Sequence, residues 1–128
     1  MITRKLSNHV TNFSMSLNDA KHATTVVVGG AITDIFDTQN WCLDDSKASD
    51  CPILVTLDDG LGTFRSVFLR DDDPLKDKAE QYKDMLKLDN VVLITGFVEK
   101  FDHGSRCGNP EVRIYADKVT ELDFDGGE

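Results

Sequence analysis

The stretch Leu54–Leu69, LVTLDDGLGTFRSVFL, holds two runs of β-branched and aromatic residues that are separated by an Asp-Asp-Gly turn. The runs Ile53 to Leu57 and Gly62 to Leu69 predict two strands, because these residue types favour extended backbone. Gly60 in the turn supplies the positive φ that tight hairpin turns require. The stretch therefore predicts an antiparallel hairpin, and it raises the question of which partner the exposed face of that hairpin binds.

The segments on either side of the hairpin predict three more strands and one helix. The pair Gly29-Gly30 interrupts the first β-branched run, which is typical of a bulge or a coil where a strand turns a corner. Asp73 and Pro74 suit the N-cap and the first residue of a helix. The predicted elements in chain order are a strand at Thr24–Phe36, the two hairpin strands, a helix at about Pro74–Leu88, and strands at Val91–Phe101 and Glu111–Leu122.

Three strands, one helix and two strands is the element order of an OB-fold, an all-β five-stranded Greek-key barrel with its helix between strands 3 and 4. The segments LVTLDDGLGTF, DNVVLITGFVEKF and RIYADKVTEL, together with the helix, resemble the nucleic-acid-binding OB domain of bacterial replicative DNA polymerase III α subunits. More distantly, they resemble the anticodon-binding domains of class II aminoacyl-tRNA synthetases. The resemblance covers about Thr24 to Leu122. It implies binding of single-stranded nucleic acid, although OB barrels also serve as protein-binding modules.

The length of 128 residues, 40% of them hydrophobic, suits one domain with extensions at both ends. We expect a polar extension at Met1–Ala23, the OB domain at Thr24–Leu122 and an acidic tail at Asp123–Glu128. No apolar run approaches the ~20 residues that span a bilayer, and the first segment lacks the apolar centre of a signal peptide. The sequence therefore predicts a soluble, intracellular protein without a membrane partner.

The acidic composition limits the kind of nucleic acid that the chain can bind. With 23 acidic and 14 basic residues, the net charge of −9 argues against binding duplex DNA through bulk charge alone. A local basic groove is compatible with this total. The candidate cations of such a groove are Lys47, Arg65, Lys100, Arg106 and Arg113, and the acidic residues near them that could neutralise it are Asp44, Asp45, Asp50, Asp58 and Asp102.

Side-chain alternation divides the hairpin into two faces. The residues predicted to point inward are Val55, Leu57, Phe64, Ser66 and Phe68. The residues predicted to point outward are Leu54, Thr56, Asp58, Thr63, Arg65, Val67 and Leu69. The outward set contains one cation and no aromatic residue, whereas single-strand binders gain ~1–3 kcal/mol for each base stacked on an aromatic ring. We therefore expect the loops to supply this contact, through Trp41 in one loop and His103 in the other, unless Trp41 plugs the end of the barrel.

The same two loops carry potential metal ligands. Cys42 and Cys51 lie in one loop, and His103 and Cys107 lie in the other. Three thiolates and an imidazole would suit tetrahedral zinc, but the first two cysteines are further apart than in usual zinc motifs. Reduced cysteines are the simpler interpretation, and we predict no cofactor or metal.

Sequence motifs favour a binding protein over an enzyme. The chain has no P-loop, nucleophile elbow or HExxH motif, and the run Asp71–Asp73 coincides with the expected start of the helix, where carboxylates are favoured for capping. We expect a small single-strand-binding or replication-accessory protein. Its expected partners are single-stranded DNA rather than RNA, and replication or repair proteins. The alternative is an OB-fold protein-interaction or structural module, with an apolar docking patch at Leu54, Val67 and Leu69.

Overall fold

Five strands form a closed barrel in the computed structural model, which describes residues 2–38, 51–101 and 111–122. The strands are β1 (Thr25–Asp37), β2 (Ile53–Asp58), β3 (Thr63–Phe68), β4 (Val91–Phe101) and β5 (Glu111–Glu121), in the order β1-β2-β3-β5-β4. The β3–β5 pair is parallel, and the other pairs of neighbours are antiparallel. This is the strand arrangement of an OB-fold, and the predicted all-β class is confirmed.

Short helices flank the strands. They are α1 (Ile2–Leu6), a 3-10 helix at Ser14–Asp19, α2 (Lys78–Gln81) and a second 3-10 helix at Lys83–Met85. None of the helices within the described ranges has the length and apolar character needed to cross a membrane.

Strand β1 belongs to both halves of the barrel. Its first half pairs with β4, its second half pairs with β2, and Ala31 takes part in both ladders. A Cβ atom on Gly30 would lie 2.7 Å from the carbonyl oxygen of Asp58, so glycine allows the two backbones to approach each other. The pairing irregularity falls later, between Ile32 and Asp34. The predicted corner therefore lies at the glycines, while the bulge lies beyond them and turns Asp34 and Phe36 outward.

The barrel interior is filled by alternate residues of all five strands. The five hairpin residues predicted to point inward are all buried. One of them is polar: the hydroxyl of Ser66 donates to the carbonyl oxygen of Ile114 at 2.8 Å, which satisfies its hydrogen-bonding capacity. The predicted division of the hairpin therefore holds for its inner face.

The helix predicted at Pro74–Leu88 is wrong in length, because only α2 and the following 3-10 turn form. Both Asp73 and Asp77 accept hydrogen bonds from backbone N–H groups two or three residues further on, so Asp73 closes a turn and Asp77 caps α2. A short helix is only marginally stable in water. The two helical turns that persist are those beside which Ala79 and Leu86 are buried against the barrel.

The segment 2–23, which the sequence predicted only as a polar extension, packs against the barrel. Leu6 and Leu17 are both buried, and Leu17 belongs to the cluster that fills the barrel. Asp59, which is 1% exposed, accepts hydrogen bonds from the N–H of Ser14 at 2.6 Å and from its hydroxyl at 3.0 Å. The N-terminal segment is thereby joined to the hairpin turn.

Aspartate side chains also hold the hairpin turn itself. The carboxylate of Asp59 accepts from the N–H groups of Leu61 at 2.9 Å and Gly62 at 3.1 Å, and that of Asp58 accepts from the N–H of Gly60 at 2.7 Å. Gly60 has a φ of 89°, as the turn sequence predicted.

Candidate functional site

Strand pairing aligns the outward side chains of the barrel into two parallel rows. The charged row consists of Asp34, Thr56, Arg65, Arg113 and Glu99, on β1, β2, β3, β5 and β4 in turn. The aromatic row consists of Phe36, Leu54, Val67, Tyr115 and Phe97 on the same strands. The rows are two residues apart on every strand, which corresponds to about 7 Å. Charged and aromatic groups therefore run side by side around the barrel.

A groove of about 260 Å³ lies on the outer side of β1, β2 and β3. We call it the hairpin groove, and it is lined by Asp34, Phe36, Leu54, Thr56 and Arg65. Phe36 is 46% exposed, so much of its ring faces solvent. The groove can accept a flat apolar group against Phe36 while Arg65 contacts an anion beside it.

Two arginines are direct neighbours in the charged row. Arg65 on β3 is in register with Arg113 on β5, and adjacent strands lie about 5 Å apart. The acidic residues Asp34 and Glu99 occupy the two ends of the row. Positive charge is therefore concentrated at the centre of the row, in a chain whose net charge is −9.

Tyr115 lies beside this arginine pair, in the aromatic row. Burial raises the pKa of its phenol, and the nearby Glu99 carboxylate raises it further, while Arg113 lowers it. The hydroxyl therefore stays protonated at neutral pH and can donate a hydrogen bond.

A third arginine, Arg70, links the end of β1 to the residues just before β2. Arg70 donates two hydrogen bonds to the carboxylate of Asp37, at 2.7 and 3.1 Å, and one to the carbonyl oxygen of Cys51 at 2.7 Å. The hydrogen-bonded Asp37 carboxylate raises the pKa of Arg70 above its ordinary value, although burial opposes this. Arg70 thus ties the end of β1 to the residues just before β2.

The structure brings some of the sequence-predicted site residues together at the hairpin groove and places others elsewhere. Leu54, Thr56 and Arg65 line the hairpin groove, and Arg113 adjoins it. Lys100 is on β4, where its backbone N–H donates to Nδ1 of His22 at 3.2 Å. The predicted loop residues Trp41, Lys47, His103 and Arg106 lie outside the described residues.

The prediction that the outer face of the hairpin is accessible is wrong at Val67. It is only 2% exposed, and it lies outside the cluster that fills the barrel. Its neighbours in the aromatic row, Leu54 and Tyr115, are half-buried. Val67 itself is buried, so it offers almost no surface for a nucleic-acid contact or for a docking patch with Leu54 and Leu69.

Of the three cysteines, the structure describes only Cys51. This residue is buried and disulfide-bonded, so the expectation of a reduced thiol is wrong here. A disulfide sulfur is not a thiolate ligand for zinc. The other three proposed ligands, Cys42, His103 and Cys107, lie outside the described residues. Within the described ranges no group of three or more His, Cys, Asp or Glu side chains is arranged to hold a metal ion.

Sequence reasoning missed the aromatic residues on the strands. Phe36, Tyr115 and Phe97 are outward-facing members of the aromatic row, whereas the sequence interpretation looked for base-stacking rings only in the loops. The alternation in RIYA pointed to Tyr115, since Ile114 is an evident core residue. Phe36 was harder to find, because the bulge after Ile32 changes the alternation of β1.

A closed barrel with this strand order and a grooved face of arginine and aromatic side chains defines an OB-fold binding module. Residues 26–122 match the family of the tRNA anti-codon type described as "OB-fold nucleic acid binding domain". The chain belongs to this family. No curated protein sequence matches the chain. The predicted resemblance to anticodon-binding OB domains is confirmed, and the resemblance to polymerase III α subunits stays a prediction.

Solved structures share the fold at low sequence identity. An OBody bound to hen egg-white lysozyme is similar with a TM-score of 0.62 and 21% identity over 89% of this chain and 94% of that one. A second OBody bound to the same protein has a TM-score of 0.63 and 19% identity, with coverage of 89% and 94%. Aspartyl tRNA synthetase from Entamoeba histolytica has a TM-score of 0.60 and 14% identity over 84% of this chain and 20% of that one. At these identities the likeness concerns the fold.

Proposed function

We propose that this chain binds single-stranded nucleic acid across the hairpin groove, as a small single-strand-binding or replication-accessory protein that prefers DNA to RNA. The observation that carries this proposal is the position of the exposed Phe36 ring beside Arg65 in one groove of a nucleic-acid-binding OB domain. A single strand needs a ring on which a base can stack and a cation for the neighbouring phosphate. The groove supplies both.

The two arginines of the charged row bind the phosphates. Arg65 and Arg113 are adjacent in register, and a guanidinium binds phosphate oxygens through paired N–H donors. The net negative charge of the chain opposes binding of a long polyanion. Each arginine–phosphate contact releases counterions, so affinity should fall as the salt concentration rises. A duplex, which offers more phosphates and no exposed base, should bind poorly.

The bases bind at the end of the aromatic row that lies in the hairpin groove. Phe36 offers its ring for stacking, Leu54 forms an apolar side of the groove, and the Thr56 hydroxyl can exchange hydrogen bonds with a base edge. The loop residues Trp41, Lys47, His103 and Arg106, together with Lys100, remain proposed contributors from the rim. Trp41→Ala should cost ~1–3 kcal/mol of binding free energy with little change in salt dependence, because stacking releases few ions.

The preference for DNA rests on the resemblance to a replicative polymerase subunit, while the family match to the tRNA anti-codon type points to RNA. Fluorescence anisotropy with labelled oligo(dT), oligo(U) and a duplex, at low and moderate salt, separates these ligands. We expect oligo(dT) to bind best and the duplex to bind worst. Tighter binding of oligo(U) would reverse the assignment of the nucleic acid.

Two variants test the groove itself. Arg65→Ala should weaken binding about equally for all sequences and reduce the salt slope by about 0.7. Phe36→Ala should weaken binding by about tenfold with the salt slope nearly unchanged. Leu88→Ala, which removes an exposed apolar side chain outside the groove, is the matched control. Wild-type protein that binds no oligonucleotide even at low salt would contradict the proposal.

The alternative function is that of a protein-interaction or structural module. It is supported by the net charge of −9 and by the exposed apolar residues Leu69 and Phe97, which lie outside the hairpin groove. The OBodies with a similar fold are bound to a protein, lysozyme. Failure of every oligonucleotide to bind would favour this alternative.

A further inference from the structure

A second and larger groove, of about 530 Å³, lies where β4 and β5 meet the segment around α2. We call it the helix-side groove. Its apolar members include Phe97, Tyr115, Leu69 and Leu75, and Lys76 and Lys78 lie on the side that the α2 segment forms. Phe97 is 47% exposed, which matches the exposure of Phe36 in the hairpin groove.

The two grooves lie at opposite ends of the aromatic row. Phe97 and Tyr115 are cross-strand partners at one end, and Phe36 is at the other end. Around the barrel by way of β2, β3 and β5, four strand spacings separate Phe36 on β1 from Phe97 on β4, which corresponds to about 19 Å. The buried Val67 lies between the grooves. The adjacent charged row keeps Arg65 and Arg113 in this interval, so a bridging strand would pass two cations between one ring and the next.

We propose that a single strand too long for the hairpin groove continues past Arg65 and Arg113 and stacks a second base on Phe97 in the helix-side groove. This inference rests on the proposed function and extends it to a second binding position. The ligand is the next part of the same polynucleotide, because the charged row carries Arg65 and Arg113 across the interval between the two grooves.

The chemistry of the helix-side groove suits a nucleotide. The exposed ring of Phe97 offers a stacking face, and Tyr115 beside it carries a hydroxyl that can donate to a phosphate or base. Lys76 is exposed on the groove, while Lys78 lies 3.6 Å from the carboxylate of Asp117. Asp117 and Glu99 also line the groove, so we expect stacking to contribute more than charge.

The length dependence of binding tests this inference. Labelled oligo(dT) of about four and about twelve nucleotides, within the range of lengths that OB domains bind, are titrated against each variant. Phe36→Ala should weaken binding of both lengths. Phe97→Ala should leave the short oligonucleotide unaffected and weaken the long one by about tenfold, which corresponds to the loss of one stacked base. Phe97→Tyr should restore binding of the long one, because it keeps an aromatic ring.

The outcomes distinguish the two proposals. If Phe36→Ala weakens both lengths while Phe97→Ala matches the wild type at both, the second position is refuted and the hairpin groove stands. If Phe97→Tyr binds the long oligonucleotide as poorly as Phe97→Ala, the ring is not stacking on a base, and the second position is again refuted. If neither length binds to the wild type, both proposals fail and the helix-side groove is left to a protein partner. Thermal unfolding of each variant checks that the barrel is intact.

Discussion

Asp59 should be a main determinant of stability, because its buried carboxylate joins the N-terminal segment to the hairpin turn. Among the described residues, it accepts two hydrogen bonds from Ser14, at 2.6 and 3.0 Å, and one each from the N–H groups of Leu61 and Gly62. A hydrogen bond to a charged group contributes about 1.5–3 kcal/mol, and buried donors left without acceptors cost further free energy. Asp59→Ala removes all four acceptor contacts, so we expect it to lower the free energy of unfolding by about 4 kcal/mol.

The isosteric variant should give an intermediate value. In Asp59→Asn the remaining carbonyl oxygen can keep the three contacts made by Oδ1, while the amide group faces the N–H of Ser14, which is itself a donor. Only one contact is lost, so we expect a cost of about 2 kcal/mol.

The neighbouring aspartate provides the matched control. Asp58 accepts one hydrogen bond, from the N–H of Gly60 at 2.7 Å, in an exposed setting. Asp58→Ala should therefore cost less than about 1 kcal/mol. Urea denaturation measures all three variants, and an unchanged m-value shows that the comparison is valid. If Asp59→Ala costs no more than Asp58→Ala, the N-terminal segment is not held by this carboxylate and the reasoning is refuted.

Three further predictions concern other positions. Gly30→Ala should destabilise the protein by at least about 2 kcal/mol, because its methyl group would lie 2.7 Å from the carbonyl oxygen of Asp58; unchanged stability in urea would contradict this close approach. Arg70→Lys keeps the charge but loses the paired hydrogen bonds to Asp37, so it should lower the free energy of unfolding by about 1 kcal/mol. An unchanged free energy of unfolding in urea would show that the positive charge alone holds Asp37. Burial raises the folded-state pKa of Tyr115 above its ordinary value of 10.0, so the contribution of its neutral phenol to stability should be present in full below pH 10 and lost as pH rises through the folded-state pKa. Tyr115→Phe should reduce that decline, as measured by urea unfolding between pH 8 and 11, and an identical decline in the variant would rule Tyr115 out as its cause.

Local sequence patterns determined the strands of this protein. Strand β4 has the predicted bounds Val91–Phe101, and each end of the other four lies within one residue of its predicted position. The hairpin turn was also readable, because Gly60 and its preceding aspartates have local conformational preferences that need no distant partner. The order of these elements along the chain was then enough to indicate an OB-fold.

Only the tertiary structure decided which side chains share a surface. The predicted long helix is reduced to short turns, where Ala79 and Leu86 pack against the barrel, whereas Leu75 and Leu88 at the two ends of the predicted helix are exposed. The bulge beyond Ile32 turns Phe36 outward, and Val67 is covered although alternation places it on the outer face. The charged and aromatic rows arise from strand pairings between residues far apart in sequence. Alternation within one strand therefore predicts a face, but the register between strands decides which neighbours that face acquires.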